Sequence, residues 1–147
     1  MVFGKKSLKL IGAALGVALM GSVLAGCGGD QAKSDEIKIG ANFELTGNVA
    51  NYGSASMDGL KLAIKECNDA GGVNGKKINL VSADNKSEAS EAVNAATKLI
   101  SDDGVKVIVG PAVTANVIAE SQVATDNKIP VIAPDATSPD VTVENGQ

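Results

Sequence analysis

The order of apolar runs and breaks in this chain predicts an α/β fold, a doubly wound parallel sheet with helices on both faces. Three observations carry that prediction. Short apolar runs alternate with longer segments of helical period, giving β-α-β-α-β-α-β between residues 37 and 133. The third run, residues 105–109, is almost continuously apolar, as expected of a strand covered on both faces, and the fourth, residues 129–133, is apolar too. Glycine and proline punctuate the joins, at Gly71-Gly72, Gly110-Pro111 and Pro134. Strands joined by such helices cross over with a right-handed turn.

Each element has its own justification. Residues 37–43 alternate and then run apolar, a first strand. Residues 44–54 carry Thr46-Gly47-Asn48 and Asn51-Tyr52-Gly53, the chemistry of turns in a long loop. A helix over 55–70 follows, with Met57, Leu60, Ala63, Ile64 and Cys67 on one face and Gly71-Gly72 as its stop. Asn74-Gly75 is a tight turn before a second strand over 77–83. Ser87 is placed to cap a second helix running to Ser101, whose stripe is Ala89, Ala92, Val93, Ala96, Leu99 and Ile100. Residues 105–109 form the third strand, and a third helix over 115–127 buries Val117, Ile118, Ser121 and Ala124. Residues 129–133 make the fourth strand, and 137–147 read as irregular.

Ahead of the fold stands a leader. Lys5, Lys6 and Lys9 are followed by an uncharged apolar run, Leu10 to Leu24, too short to span a bilayer comfortably. Leu24-Ala25-Gly26-Cys27 closes it and resembles the lipobox of bacterial lipoproteins, which implies cleavage after residue 26 and a diacylglycerol on Cys27. The plainer alternative is an ordinary signal peptide with an incidental cysteine. Residues 27–36 read as a flexible tether, because Gly28 to Glu36 is small, polar and charged; nine extended residues reach roughly 30 Å. The expected location is the extracytoplasmic face of the cell membrane, held there by lipid.

Composition excludes several functions. Without residues 1–26 the chain has 121 residues, enough for one domain with a core. Ten Lys then face 17 Asp plus Glu, a net charge of −7, with no Arg and no His. Such a surface argues against nucleic acid, which needs clustered cations. The lack of His, with Cys67 on an apolar helix face, argues against metal sites and against Ser-His or Cys-His catalysis, so neither catalytic residues nor a metal are expected. Neither Gly-x-Gly-x-x-Gly nor a P-loop occurs, and no cofactor is expected.

Ligands of an open parallel sheet sit beyond the carboxyl ends of its strands. Those ends offer hydroxyls and backbone groups: Thr46, Tyr52, Ser54, Thr114, Thr137 and Ser138. Thr114 and Asn116 stand at the start of the third helix, where free N–H groups and the helix dipole favour an anion. On spacing alone Thr114 reads first as a cap, Thr137 as a turn residue and Tyr52 as surface packing. Asp84, at a strand end, lacks the acidic or Lys neighbours that a phospho-acceptor pocket needs.

A series of motifs carries a resemblance. Glu44-Leu45-Thr46-Gly47, Asn51-Tyr52-Gly53, Asn68-Asp69-Ala70-Gly71-Gly72-Val73-Asn74-Gly75-Lys76-Lys77-Ile78, Val107-Ile108-Val109-Gly110-Pro111 and Pro130-Val131-Ile132-Ala133-Pro134-Asp135-Ala136-Thr137-Ser138-Pro139 occur in this order. From Ile37 onward the chain resembles the amino-terminal part of the branched-chain amino-acid (leucine/isoleucine/valine type) substrate-binding proteins of ABC transporters. The resemblance implies a Rossmann-like, periplasmic-binding-protein-like type I fold, of which residues 37–147 are most of the first lobe. It implies an amino-acid ligand, permease subunits as partners, and no enzymatic activity. It implies that Thr114 and Thr137 hold the ligand's α-carboxylate, that the main-chain carbonyl of Asp135 accepts from its α-ammonium, and that Tyr52 lines its side-chain pocket. A zwitterion needs such donors and acceptors together.

Two positions depart from the family's pattern. Asp135 stands where a small residue is usual, leaving its carboxylate either on the ammonium or in water. Cys67 replaces a larger aliphatic and reads as core filler. Relatives have a second lobe that closes over the ligand by hinge motion, so the expectation is a truncated product lacking half its site. A ligand-sensing domain of a receptor or regulator is the alternative with the same fold. A flavodoxin-like enzyme is the third reading, disfavoured by the missing phosphate loops.

Overall fold

The computed structural model of the protein describes residues 36–143. The leader, Cys27 and all of the tether but Glu36 lie outside the described residues, as do the last four positions. The elements are β1 (Ile37–Phe43), α1 (Ala50–Asp69), β2 (Ile78–Asp84), α2 (Ala89–Ser101), β3 (Ile108–Val109), α3 (Thr114–Asp126), β4 (Val131–Ile132) and α4 (Asp140–Val143). The strands pair in parallel in the order β2-β1-β3-β4. The chain moves from β1 to β2 on one side and then crosses back to β3 on the other, which is the doubly wound arrangement and places its switch point between β1 and β3.

The strand pleat sorts side chains onto two layers. Ala41 and Phe43 of β1 face α1, packing with Met57 and Ala112 and flanked by Leu60, Leu80 and Val109. On the other face, Ala96 and Leu99 of α2 pack with Val105 and Ile108, flanked by Val81, Ala83, Val123 and Val131. Phe43, Leu99 and Ile108 are fully buried, each burial being worth about 1.5–3 kcal/mol.

Several boundaries differ from the sequence expectation. α1 begins at Ala50, so Asn51-Tyr52-Gly53 lies inside the helix rather than in a loop. Gly53 serves close approach, since a Cβ there would sit 2.2 Å from the Glu44 carbonyl oxygen. Of the expected α1 face, Met57 and Ile64 are buried and Cys67 half-buried, while Ala63 is exposed. Ser87 does not cap α2: Glu88 is the N-cap residue, without a side-chain bond. The Ser87 hydroxyl instead donates to the Thr46 carbonyl at 2.8 Å and accepts the Val49 N–H at 3.3 Å, stitching two loops together.

β3 and β4 are only two residues each, shorter than their apolar runs. Pro130 and the Gly110-Pro111 pair bound the ladder between them. β4 is an edge strand and Ile132 is 58% exposed. In α3, Val117 and Ala124 are buried as expected, but Ile118 and Ser121 are only half-buried, and the other two deeply buried groups of the helix are Asn116 and Glu120. The stretch read as irregular holds one helical turn, Asp140–Val143, at whose start Ser138 accepts the Asp140 N–H at 3.3 Å.

Candidate functional site

The carboxyl ends of β1 and β3 meet over a floor of polar side chains. Asn42, Glu44, Asn85, Asn116 and Glu120 are all almost completely buried. Glu44 follows β1 directly and lies against the segment that leads into α3. Its Oε2 accepts the Ala112 N–H at 3.0 Å, and its Oε1 accepts the Val113 N–H at 3.3 Å and the Asn116 Nδ2 at 2.8 Å. Gly110 makes this approach feasible: its φ is +100°, and a Cβ there would lie 2.2 Å from the Asn42 carbonyl oxygen.

From Glu44 the bonds run inward. Asn116 Nδ2 also reaches Asn85 Oδ1 at 3.4 Å, and Asn85 Nδ2 donates to Asn42 Oδ1 at 3.3 Å. Asn42 Nδ2 donates to Glu120 Oε2 at 2.5 Å and to the Ala92 carbonyl at 3.0 Å. Among the described residues, Glu120 Oε1 is the one buried side-chain polar atom without a hydrogen-bond partner. Removal from water pushes the Glu120 carboxyl up to about 8; the Asn42 bond pulls it down, and the nearby Glu44 charge adds to the rise. Glu120 is therefore neutral at pH 7.

Asp84, at the end of β2, organises the loop after β1. It accepts from the backbone N–H groups of Leu45, Thr46 and Lys86 and from the Thr46 hydroxyl at 2.6 Å. Burial pushes its pKa up, but the bonds from the Thr46 hydroxyl and those three N–H groups outweigh it and hold the carboxyl below 3.8. A depressed pKa stabilises the fold above the unfolded value and loses that stabilisation as pH falls through the folded one. Asp84→Ala is expected to cost about 1–2 kcal/mol at pH 7 and progressively less below pH 3.8, read by urea unfolding across that range.

The residues singled out from sequence lie at the start of α3, in the first turn of α1 and in the loop after β4. Thr114 is the first residue of α3 and half-buried; its side chain makes no capping bond, so it is not the cap that its spacing suggested. Its hydroxyl, its N–H and the Ala115 N–H have no partner among the described residues. Three donors thus remain open at the helix head, while Glu44 consumes the two N–H groups just before it.

Tyr52 lies in the first turn of α1 and is 59% exposed. Ser56, one turn on, directs its hydroxyl to the Tyr52 carbonyl and to the Asp135 carboxylate. The structure therefore joins α1 to the loop after β4 at Tyr52, Ser56 and Asp135. Thr137 is exposed and lines a groove of about 490 Å³ with Val117 and Ser121 of α3, about one and two turns along from Thr114.

Sequence reasoning places Asn116 at the head of α3 and Glu44 in a motif, but misses the buried network that joins them. Two signals were present: Asn42 interrupts an apolar strand, and Glu120 falls three residues after Val117 and four before Ala124, on the buried face.

A family model for periplasmic binding proteins matches residues 36–146. The chain belongs to the periplasmic binding protein family. Among similar proteins, the Leu/Ile/Val-binding protein BraC3 of Rhizobium johnstonii is 38% identical over 107 residues, 73% of this chain and 29% of that protein. The branched-chain amino acid transporter substrate binding protein LivJ of Streptococcus pneumoniae, solved with isoleucine, is 44% identical with a TM-score of 0.72 over 73% of this chain and 31% of its own. A solute binding protein of an ABC transporter from Rhodopseudomonas palustris, solved with 3,4-dihydroxybenzoic acid, is 32% identical with a TM-score of 0.68 over 73% of this chain and 29% of its own. The chain thus spans under a third of the length of these periplasmic binding proteins. The resemblance read from the motif series holds at the level of family and fold.

Proposed function

We propose that the chain is the first lobe of an extracytoplasmic solute-binding component of an ABC importer, which captures an amino acid, a branched-chain one first, and delivers it to a permease. The observation that carries this reading is the set of open donors at the head of α3, the Thr114 hydroxyl and the N–H groups of Thr114 and Ala115. They suit a carboxylate at the positive end of a helix. Thr137 adds a second hydroxyl, and the Asp135 carbonyl, unpartnered among the described residues, accepts from the ammonium. Tyr52, exposed beside this mouth, lines the space for the ligand's side chain. Binding rather than catalysis is the role. Residues 1–26 act as a lipoprotein leader, Cys27 carries the lipid, and 27–36 tether the lobe to the membrane. A second lobe supplies the remaining contacts and closes the site.

Titration calorimetry of the full-length protein with leucine, isoleucine and valine tests the reading. Thr114→Val keeps the side-chain shape and removes the hydroxyl; about a tenfold or greater loss of affinity is expected. No heat with any amino acid would overturn the proposal. A second reading, an aromatic carboxylic acid as ligand, is favoured by the relative solved with dihydroxybenzoate, and the same calorimeter decides it.

A further inference from the structure

We propose that the Asp135 carboxylate is a specificity determinant that selects ligands carrying an ammonium group over carboxylates that lack one. The inference rests on the ligand orientation given under the proposed function and adds a side chain to it.

Asp135 follows β4 at the carboxyl end of the sheet and is exposed there. The Ser56 hydroxyl donates to its Oδ2, which fixes the carboxylate against α1 beside Tyr52 instead of letting it swing into solvent. Among the described residues its Oδ1 has no partner, its main-chain carbonyl has none, and no Lys lies within ion-pairing distance of it. One residue therefore presents two kinds of open acceptor, a carbonyl and half of a carboxylate. An ammonium has three donors and meets both.

The surrounding charge has the same sign. Glu44, under the head of α3, is matched there by three donors and bears alike on both ligands, which share the carboxylate; the discriminating charge is that of Asp135. Lys86, after β2, is engaged with Glu91 at 3.2 Å. The chain has no Arg to offset these acids. A zwitterion enters this field without net repulsion and gains a partner at its cationic end. An anion of the same skeleton is repelled and leaves the Asp135 acceptors unpaired.

The test compares leucine with 4-methyl-2-oxopentanoate, which has the same skeleton and carboxylate but an oxo group in place of the ammonium. Dissociation constants are measured on the full-length protein, on Asp135→Asn and on Ser56→Ala. Asp135→Asn is expected to weaken leucine about tenfold while leaving the oxo acid unchanged or tighter, so that the preference falls at least tenfold. Ser56→Ala, which frees the carboxylate without removing it, is expected to lower the preference about threefold. Raising the ionic strength should narrow the preference of the unmodified protein more than that of Asp135→Asn. If the unmodified protein binds leucine and Asp135→Asn keeps the preference within twofold, the inference fails alone. Should the unmodified protein bind no amino acid, the binding reading fails and takes the inference with it. Thermal melts of both variants establish that they are folded, and a folded Asp135→Asn with an unmoved ratio counts against the proposal.

Discussion

Glu44→Ala is expected to destabilise the lobe by roughly 3–5 kcal/mol, the largest effect of any single truncation at the site. Its carboxylate satisfies three donors at once: the N–H groups of Ala112 and Val113 and the Asn116 side chain. Ala112 and Asn116 are buried, so water has little access to replace the lost bonds. Each orphaned buried donor costs about 1–3 kcal/mol, and the truncation also leaves a cavity. Glu44→Gln separates chemistry from volume. All partners of Glu44 are donors, so the amide NH2 must face one of them whichever way the group turns, and a loss of about 1–3 kcal/mol is expected despite equal size. Urea unfolding gives both values, and hydrogen exchange at Ala112 and Val113 should accelerate in parallel. A loss below about 1 kcal/mol for Glu44→Ala would show that the hub does not hold the segment leading into α3.

Glu120→Gln is expected to act in the opposite direction and to depend on pH. The folded state raises the Glu120 carboxyl from 4.5 to about 8, so the native protein holds a proton that the unfolded chain has released. A raised pKa gives stability that is fully present below 4.5 and is lost as pH climbs toward about 8. Across that window the native state loses roughly 3–5 kcal/mol on this group's account. Gln resembles the protonated acid and does not titrate. The variant should match the unmodified chain near pH 4.5 and exceed it by roughly 3–5 kcal/mol at pH 8. Paired urea titrations from pH 4.5 to 8.5 measure the difference curve, in which all other groups cancel. A flat difference curve would refute the burial-driven account of Glu120.

The elements of this fold were legible because their signals are local. Met57 and Ile64 recur at helical spacing, and the bounds of β1 follow from its alternating and then mostly apolar run. The start of α1 was misread because Asn51-Tyr52-Gly53 has the composition of a turn. Gly53 is there because the helix passes against the backbone at Glu44, a contact no neighbouring residue encodes. The apolar run overstates the length of β3, since burial extends to Val105, ahead of the strand.

The candidate site divides in the same way. Thr114, Thr137, Asp135 and Tyr52 lie in segments that motif and helix-start arguments reach. So do Glu44 and Asn116, but the pairings of the polar floor were not legible, because they join residues far apart in sequence: Asn42 with Glu120, Glu44 with Asn116, Asn85 with Asn42. An acid on the inner face of α3 looks like an error of amphipathic patterning until the strand opposite is known to present Asn42. Asp84, a bare strand-end carboxylate in the sequence, is the post around which the loop after β1 is tied.

The buried circuit from Glu44 to Glu120 shares no hydrogen bond with Thr114, Thr137 or the outward groups of Asp135. Foundation and reading surface are in that sense separate storeys. Exchange of an exposed loop residue such as Asp135 or Thr137 then breaks no bond of the masonry beneath, so the surface can vary while the foundation stays put.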